Sequence, residues 1–195
     1  MWSQLDLVLA SKSPRRKELL ERMGLTFRIV PSLVEEIHPP GIHPLLLSEH
    51  LAQEKALEVF NRIDTNEDTV VIGADSVVIL GERIFEKPKD YDEAFSMLAH
   101  LSGRQHLVTT GVCLKSNQQM LTFSGKSYVT FRPLDGDEID FYLKKYEPYD
   151  KAGSYGVQDW MGMCKVSSIE GTYTNVMGLP TDLVYEGLKN MLSPQ

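Results

Sequence analysis

Residues 7–24, Leu7-Val8-Leu9-Ala10-Ser11-Lys12-Ser13-Pro14-Arg15-Arg16-Lys17-Glu18-Leu19-Leu20-Glu21-Arg22-Met23-Gly24, decide the fold class. The first four form a short apolar run that reads as a buried strand. The chain then enters a helix: Ser13 is the expected cap, Pro14 suits the first helical position because the N–H it lacks would go unpaired there, and Gly24 marks the end. Leu19, Leu20 and Met23 supply the apolar face. A strand feeding directly into a helix is a building block of α/β architecture.

Outward from this unit, Phe27-Arg28-Ile29-Val30 predicts a second strand leading to Glu35-Glu36. The pattern over residues 45–62 predicts a helix with Ala52, Ala56, Val59 and Phe60 on one face. Lys55 has its stem on or beside that face, an odd place for a charge that serves only solubility. Val70-Val71-Ile72-Gly73-Ala74 is a strand-like run ending at Asp75. Val77-Val78-Ile79-Leu80 continues extended until Gly81-Glu82 turns the chain back through Ile84-Phe85, so a hairpin-like pair is expected to bring Asp75 and Lys87 close together. Asp90 with Glu93 resembles a capping box for a helix through Ala94, Met97, Leu98 and Leu101 that closes at Gly103. Extended segments at 107–115 and 128–132 precede a helix near 137–146 with Ile139, Tyr142, Leu143 and Tyr146 on one side. A last helix follows Pro180, with Leu183, Val184, Leu188 and Met191 facing inward. This irregular order predicts an α/β domain with a mixed, partly antiparallel sheet.

The chain has 195 residues, 42% of them hydrophobic, enough for one core and one domain over 1–195. A formal charge of -7 and a pI near 5.2 exclude the broad basic stripe of a protein that tracks nucleic acid. Cys113 and Cys164 lack paired ligand spacing and are expected to be buried thiols, with neither a zinc site nor a disulfide framework. The five histidines are scattered and read as surface or capping residues. Met1-Trp2-Ser3-Gln4-Leu5-Asp6 lacks a signal-peptide pattern, and no apolar run approaches a membrane span, so a cytoplasmic protein is expected. A homodimer is the default assembly.

Several segments carry possible chemistry. Ser11, Ser13, Arg15 and Arg16 at a helix start form a phosphate cradle of hydroxyls, backbone N–H groups and guanidinium forks; the same residues also make an ordinary capped helix with solvated arginines. Asp75, leaving a buried strand, needs a cation or hydrogen bonds to offset its desolvation, unless Asp75 and Ser76 simply form a turn. Glu35-Glu36 alone would be a solvated acidic pair, and Glu86-Lys87-Pro88-Lys89 an exposed charged turn. In Asp150-Lys151-Ala152-Gly153-Ser154-Tyr155-Gly156-Val157-Gln158, the glycines would let backbone approach a ligand, with Tyr155 and Gln158 projecting nearby. Gln158 offers the donor and acceptor that the imide edge of uracil or thymine requires; unbound, it is a surface amide.

The order of these segments, with Val34-Glu35-Glu36, Glu54-Lys55-Ala56, Gly73-Ala74-Asp75-Ser76 and Val176-Met177-Gly178-Leu179-Pro180 among them, resembles the Maf family from Leu7 to the last helix. The resemblance implies an elongated α/β fold with two lobes around a deep cleft, similar to inosine-triphosphate pyrophosphatases. It also implies hydrolysis of nucleoside triphosphates between the α- and β-phosphates with a divalent cation, magnesium or manganese, in a housekeeping role. By position Asp75 corresponds to the catalytic proton acceptor and Glu36 to a second acidic position sharing the metal. Lys55 and Lys87, with Arg15 and Arg16, are expected to neutralise the departing pyrophosphate, while Ser11 and Ser13 anchor the phosphate chain. Arg15, a hydroxyl after the catalytic Asp and Gln158 fit the branch acting on dTTP and UTP and not the one acting on 7-methyl-GTP. Ser76 stands where that branch more usually has threonine, keeping the hydroxyl and losing a methyl contact.

Overall fold

The computed structural model describes Trp2 and residues 4–192; Met1 and Ser3 of the N-terminal stretch read above lie outside the described residues. In chain order the elements are β1 (Asp6–Leu9), α1 (Pro14–Arg22), β2 (Phe27–Ile29), α2 (Pro44–Arg62), β3 (Thr69–Leu80), β4 (Arg83–Phe85), α3 (Tyr91–Leu101), β5 (Gln105–Lys115), β6 (Met120–Phe131), α4 (Gly136–Tyr146), a 3-10 turn (Ala152–Ser154), α5 (Trp160–Cys164), β7 (Val166–Glu170), α6 (Tyr173–Met177) and α7 (Thr181–Leu192). The strands form a seven-stranded sheet in the order β2-β1-β3-β5-β6-β7, with β4 added to β3. β1 pairs in parallel with β2 (Leu7 opposite Phe27) and with β3 (Leu7 opposite Val70). β4 pairs antiparallel with β3, and β7 antiparallel with β6. The sheet is therefore mixed, as the irregular element order predicts. Among the described residues no helix is long and apolar enough to cross a membrane.

The chain divides into two compact units, the first comprising Met1–Asp75, Thr110–Gly125 and Gly178–Gln195, the second Ser76–Thr109 and Lys126–Met177. In the first, Val8, Ala10, Val71 and Cys113 pack against Ala52, Ala56 and Val59 of α2. Helix α2 lies unusually close to the sheet because two strand residues have no side chain. A Cβ on Gly73 of β3 would lie 2.2 Å from the Ala52 carbonyl oxygen, and one on Gly111 of β5 would lie 2.3 Å from Ser48 backbone. The small faces of Ala52 and Ala56 complete the fit, and the fully buried Leu47 and Leu51 of the same helix each contribute about 2 kcal/mol of burial.

In the second unit, α3 and α4 build the core with Ala94, Met97, Leu98, Leu101, Ile139, Tyr142 and Leu143, against Val78, Phe85, Val108, Val129 and Phe131 of the strands. Helix α4 has a full capping box, Asp135 accepting from Glu138 N–H and Glu138 accepting from Asp135 N–H. At α3 the expected box is only half formed: Asp90 accepts from Glu93 N–H, but the Glu93 carboxylate reaches Lys89 N–H.

Other expectations change in detail. β3 runs unbroken through Asp75 to Leu80, which removes the turn reading of Asp75-Ser76. The strand expected at 128–132 begins at Met120, and β7, α5 and α6 were not anticipated. Cys113 is buried, but Cys164, ending a five-residue surface helix, is exposed. On α7, Val184 and Leu188 are buried while Leu183 and Met191 are half-buried.

Candidate active site

Strand β1 delivers Ser11, only 8% exposed, to the mouth of α1. Its hydroxyl oxygen accepts the Ser13 N–H at 3.1 Å and an N–H of Arg16 Nη1 at 3.3 Å. Ser13 occupies the N-cap with extended backbone and Pro14 follows at the first position, but the Ser13 side chain makes no capping bond. The expected cap is thus reduced to its backbone part, the Ser13 carbonyl accepting from Lys17 N–H. Arg16 Nε donates to the Gly178 carbonyl at 2.9 Å, tying α1 to the segment that precedes α7. Gly178 has φ 122, a conformation that L side chains rarely adopt, and this lets its carbonyl take that position. Burial lowers the Arg16 guanidinium below the usual arginine range; Asp75 and Glu36 act against this and Arg15 with it. These four side chains therefore share one electrostatic neighbourhood, and Arg16 remains a cation.

The acidic part of the cluster forms across α2 and β3. The closeness of α2 at Gly73 brings Lys55, 7% exposed, to Asp75, 5% exposed. Lys55 Nζ lies 2.6 Å from Asp75 Oδ1 and 2.6 Å from Glu36 Oε1. One ammonium therefore bridges two carboxylates that are far apart in sequence, and it offsets the desolvation of the Asp75 charge. Glu36 comes from the extended stretch before α2 and is the more exposed acid of the two. It is exposed, like Glu35, and its carboxylate is paired with Lys55.

Glu36 and Asp75 are the residues here that could hold a hard divalent cation. Two carboxylate oxygens converge on one positively charged atom, and magnesium is commonly held by one or two carboxylates, with substrate phosphates and water completing its shell. Among the described residues no group of three or more His, Cys, Asp or Glu side chains could hold an ion as a protein cage.

The remaining predicted site residues belong to the second unit. Ser76, half-buried, is the first residue of that unit and directly follows Asp75, which ends the first segment of the other. The β3–β4 ladder runs from Leu80 opposite Arg83 to Val78 opposite Phe85, so Asp75 and the exposed Lys87 both lie beyond it. Gly153 N–H donates to the Glu86 carbonyl at 3.1 Å, joining the Lys87 segment to the loop that carries Gln158.

That loop corrects two expectations. Gly153 packs against Val78, its missing Cβ 3.1 Å from a Val78 methyl, and leaves no room for a ligand. Tyr155 does not project outward: it is 6% exposed, its hydroxyl lies 2.8 Å from His106 Nε2, and its ring meets Phe131 edge-on at 4.8 Å. His106 is accordingly a core residue, in contrast to the surface reading of the histidines; burial pushes its pKa down to about 4. His43 does cap α2, its Nδ1 accepting from Leu45 N–H. Gln158 is exposed. The reading from sequence missed Tyr142 and Asp159, which hydrogen-bond to each other and to this loop; Tyr142 shows in sequence only as an apolar position on α4.

Comparisons with known proteins find relatives along nearly the whole chain. A dTTP/UTP pyrophosphatase of Porphyromonas gingivalis is 45% identical over 186 residues, covering 94% of this chain and 93% of that one. Relatives with the same name from Thermosipho africanus (43% over 182 residues, covering 93% and 91%) and Aquifex aeolicus (43% over 187 residues, covering 96% and 96%) are similar along more than nine-tenths of their length. A family model described as Maf-like protein matches residues 6–191, and the segments it spans are those that build the Lys55-centred cluster; the chain belongs to the Maf family.

Proposed function

We propose that this protein hydrolyses dTTP and UTP to the monophosphate and pyrophosphate, as a house-cleaning enzyme of the cytoplasmic nucleotide pool. The observation that carries the reading is the bridge from Lys55 to Glu36 and Asp75, set in the electrostatic neighbourhood of Arg15 and Arg16. It is supported by relatives 39–45% identical that are named for this activity. Acids and bases so interleaved suit phosphoryl chemistry, which needs positioning and charge stabilisation more than covalent help.

Asp75 orients a water in line with the α-phosphorus and takes its proton as the new O–P bond forms and the bond to the β-phosphate breaks. The pyrophosphate leaves with its charge balanced by Arg15, Arg16, Lys55 and Lys87. Ser11 and the backbone at Ser13 anchor the phosphate chain. A divalent cation held by Glu36 and Asp75 would supply further charge neutralisation at the phosphate oxygens. Gln158 presents an amide donor and acceptor to the imide edge of thymine or uracil, and Ser76 adds a hydroxyl beside Asp75.

The test is pyrophosphate release by the purified protein with manganese against dTTP, UTP, CTP, GTP and 7-methyl-GTP. Preference for dTTP or UTP is the expected result. Preference for 7-methyl-GTP would overturn the roles of Arg15, Ser76 and Gln158, and binding without release would make the protein a nucleotide sensor.

A further inference from the structure

The turn from Gly156 to Asp159 carries Gln158 at its third position, and a single buried atom holds both of its ends. Gly156 N–H donates to Tyr142 Oη at 3.0 Å, and Tyr142 Oη–H donates to Asp159 Oδ2 at 2.9 Å. Asp159 N–H closes the turn on the Gly156 carbonyl at 3.4 Å. Tyr142 is itself immobilised: it is fully buried and stacked on Tyr146 and Trp160, with ring centroids 5.2 and 6.2 Å away. Burial, with Asp159 adjacent, raises its phenol far above the usual tyrosine range, so the proton stays on Oη and the bond to Asp159 keeps its polarity. Gly156 shows how closely the turn is wound. A Cβ there would lie 2.6 Å from Asp159 Oδ2 and 3.0 Å from Gln158 Nε2, so carboxylate and amide both lie over the bare α-carbon.

We propose that Tyr142 and Asp159 are positioning residues for base recognition: the phenol staples the 156–159 turn at both ends and thereby sets the direction in which Gln158 offers its amide to uracil or thymine. Neither residue needs to touch the nucleotide. The inference rests on the reading that Gln158 meets the base. A pair of donor and acceptor aimed at an imide edge discriminates against cytosine only if its orientation is held, because a freely rotating amide flips to serve either base.

The experiment compares kcat/KM for UTP and CTP in wild type, Tyr142→Phe, Asp159→Ala, Asp159→Asn and Gln158→Ala. Tyr142→Phe keeps the stacking and removes only the staple; Asp159→Asn keeps an acceptor for the phenol. We expect Tyr142→Phe and Asp159→Ala to lower the preference for UTP over CTP by about tenfold, mainly through KM, with Asp159→Asn restoring it. In the double variant Tyr142→Phe/Gln158→Ala, selectivity should match that of Gln158→Ala alone, since one residue acts through the other. Unchanged selectivity in Tyr142→Phe, or a further loss in the double variant, would overturn the proposal. The Gln158 side-chain amide signals in 15N NMR separate this from the activity itself. Even if the wild type released no pyrophosphate, those signals should become mobile in Tyr142→Phe and stay ordered in Asp159→Asn; an amide equally ordered in Tyr142→Phe would remove the staple whatever the reaction.

Discussion

Lys55 Nζ lies 2.6 Å from Asp75 Oδ1, and the two residues are both more than nine-tenths buried. A lysine this deep must be paired, and so must the aspartate, so each justifies the position of the other. Removing the ammonium leaves Asp75 and Glu36 facing each other with no cation between them. Lys55→Met should cost about 3 kcal/mol in urea unfolding at neutral pH. A variant of wild-type stability would show that the pair contributes nothing.

Gly73 decides whether α2 can hold Lys55 at Asp75. In Gly73→Ala the added methyl would meet the Ala52 carbonyl at 2.2 Å, and backbone cannot yield as a flexible side chain would. We expect about 2 kcal/mol of destabilisation and a fall in kcat from a shifted Lys55. Equilibrium unfolding and steady-state kinetics check the two effects separately.

His106 makes stability depend on pH. Its pKa falls from 6.5 to about 4 on folding because burial disfavours the imidazolium. Between these values the unfolded chain binds a proton that the folded one does not, so stability is complete above pH 6.5 and declines as the pH drops toward 4. The decline from this group is about 3 kcal/mol. Unfolding midpoints measured across that window should fall less steeply in His106→Gln than in the wild type.

Asp75→Asn keeps the size and a hydrogen-bond acceptor but removes the base. Turnover should drop by about 10³-fold while calorimetry still detects nucleotide binding. Near-wild-type turnover would take Asp75 out of its assigned role.

Hydrophobic patterning made β1, β3, α2 and α4 legible because each buries a continuous run or a regular face. The first half of β6 was not legible, since Thr122 and Ser124 face Gln53 and Glu49 of α2 through hydrogen bonds where an apolar stripe would have shown. Lys55 could be singled out from its place on a buried face. Glu36 could not be, since its partner lies on another element and the residue alone looks solvated; only the family resemblance marked it. Tyr155 misled for the opposite reason. It sits among glycines like a ligand-facing residue, yet its hydroxyl is satisfied by His106, a partner 49 positions away that no local spacing reveals.

The most direct test of the central claim is hydrolysis of UTP by the wild-type protein in 18O-labelled water with manganese, read by mass spectrometry. Attack at the α-phosphorus directed by Asp75 predicts one label in the UMP, none in the pyrophosphate, and loss of the reaction in Asp75→Asn. Label in pyrophosphate, release of inorganic phosphate, or no cleavage would contradict it.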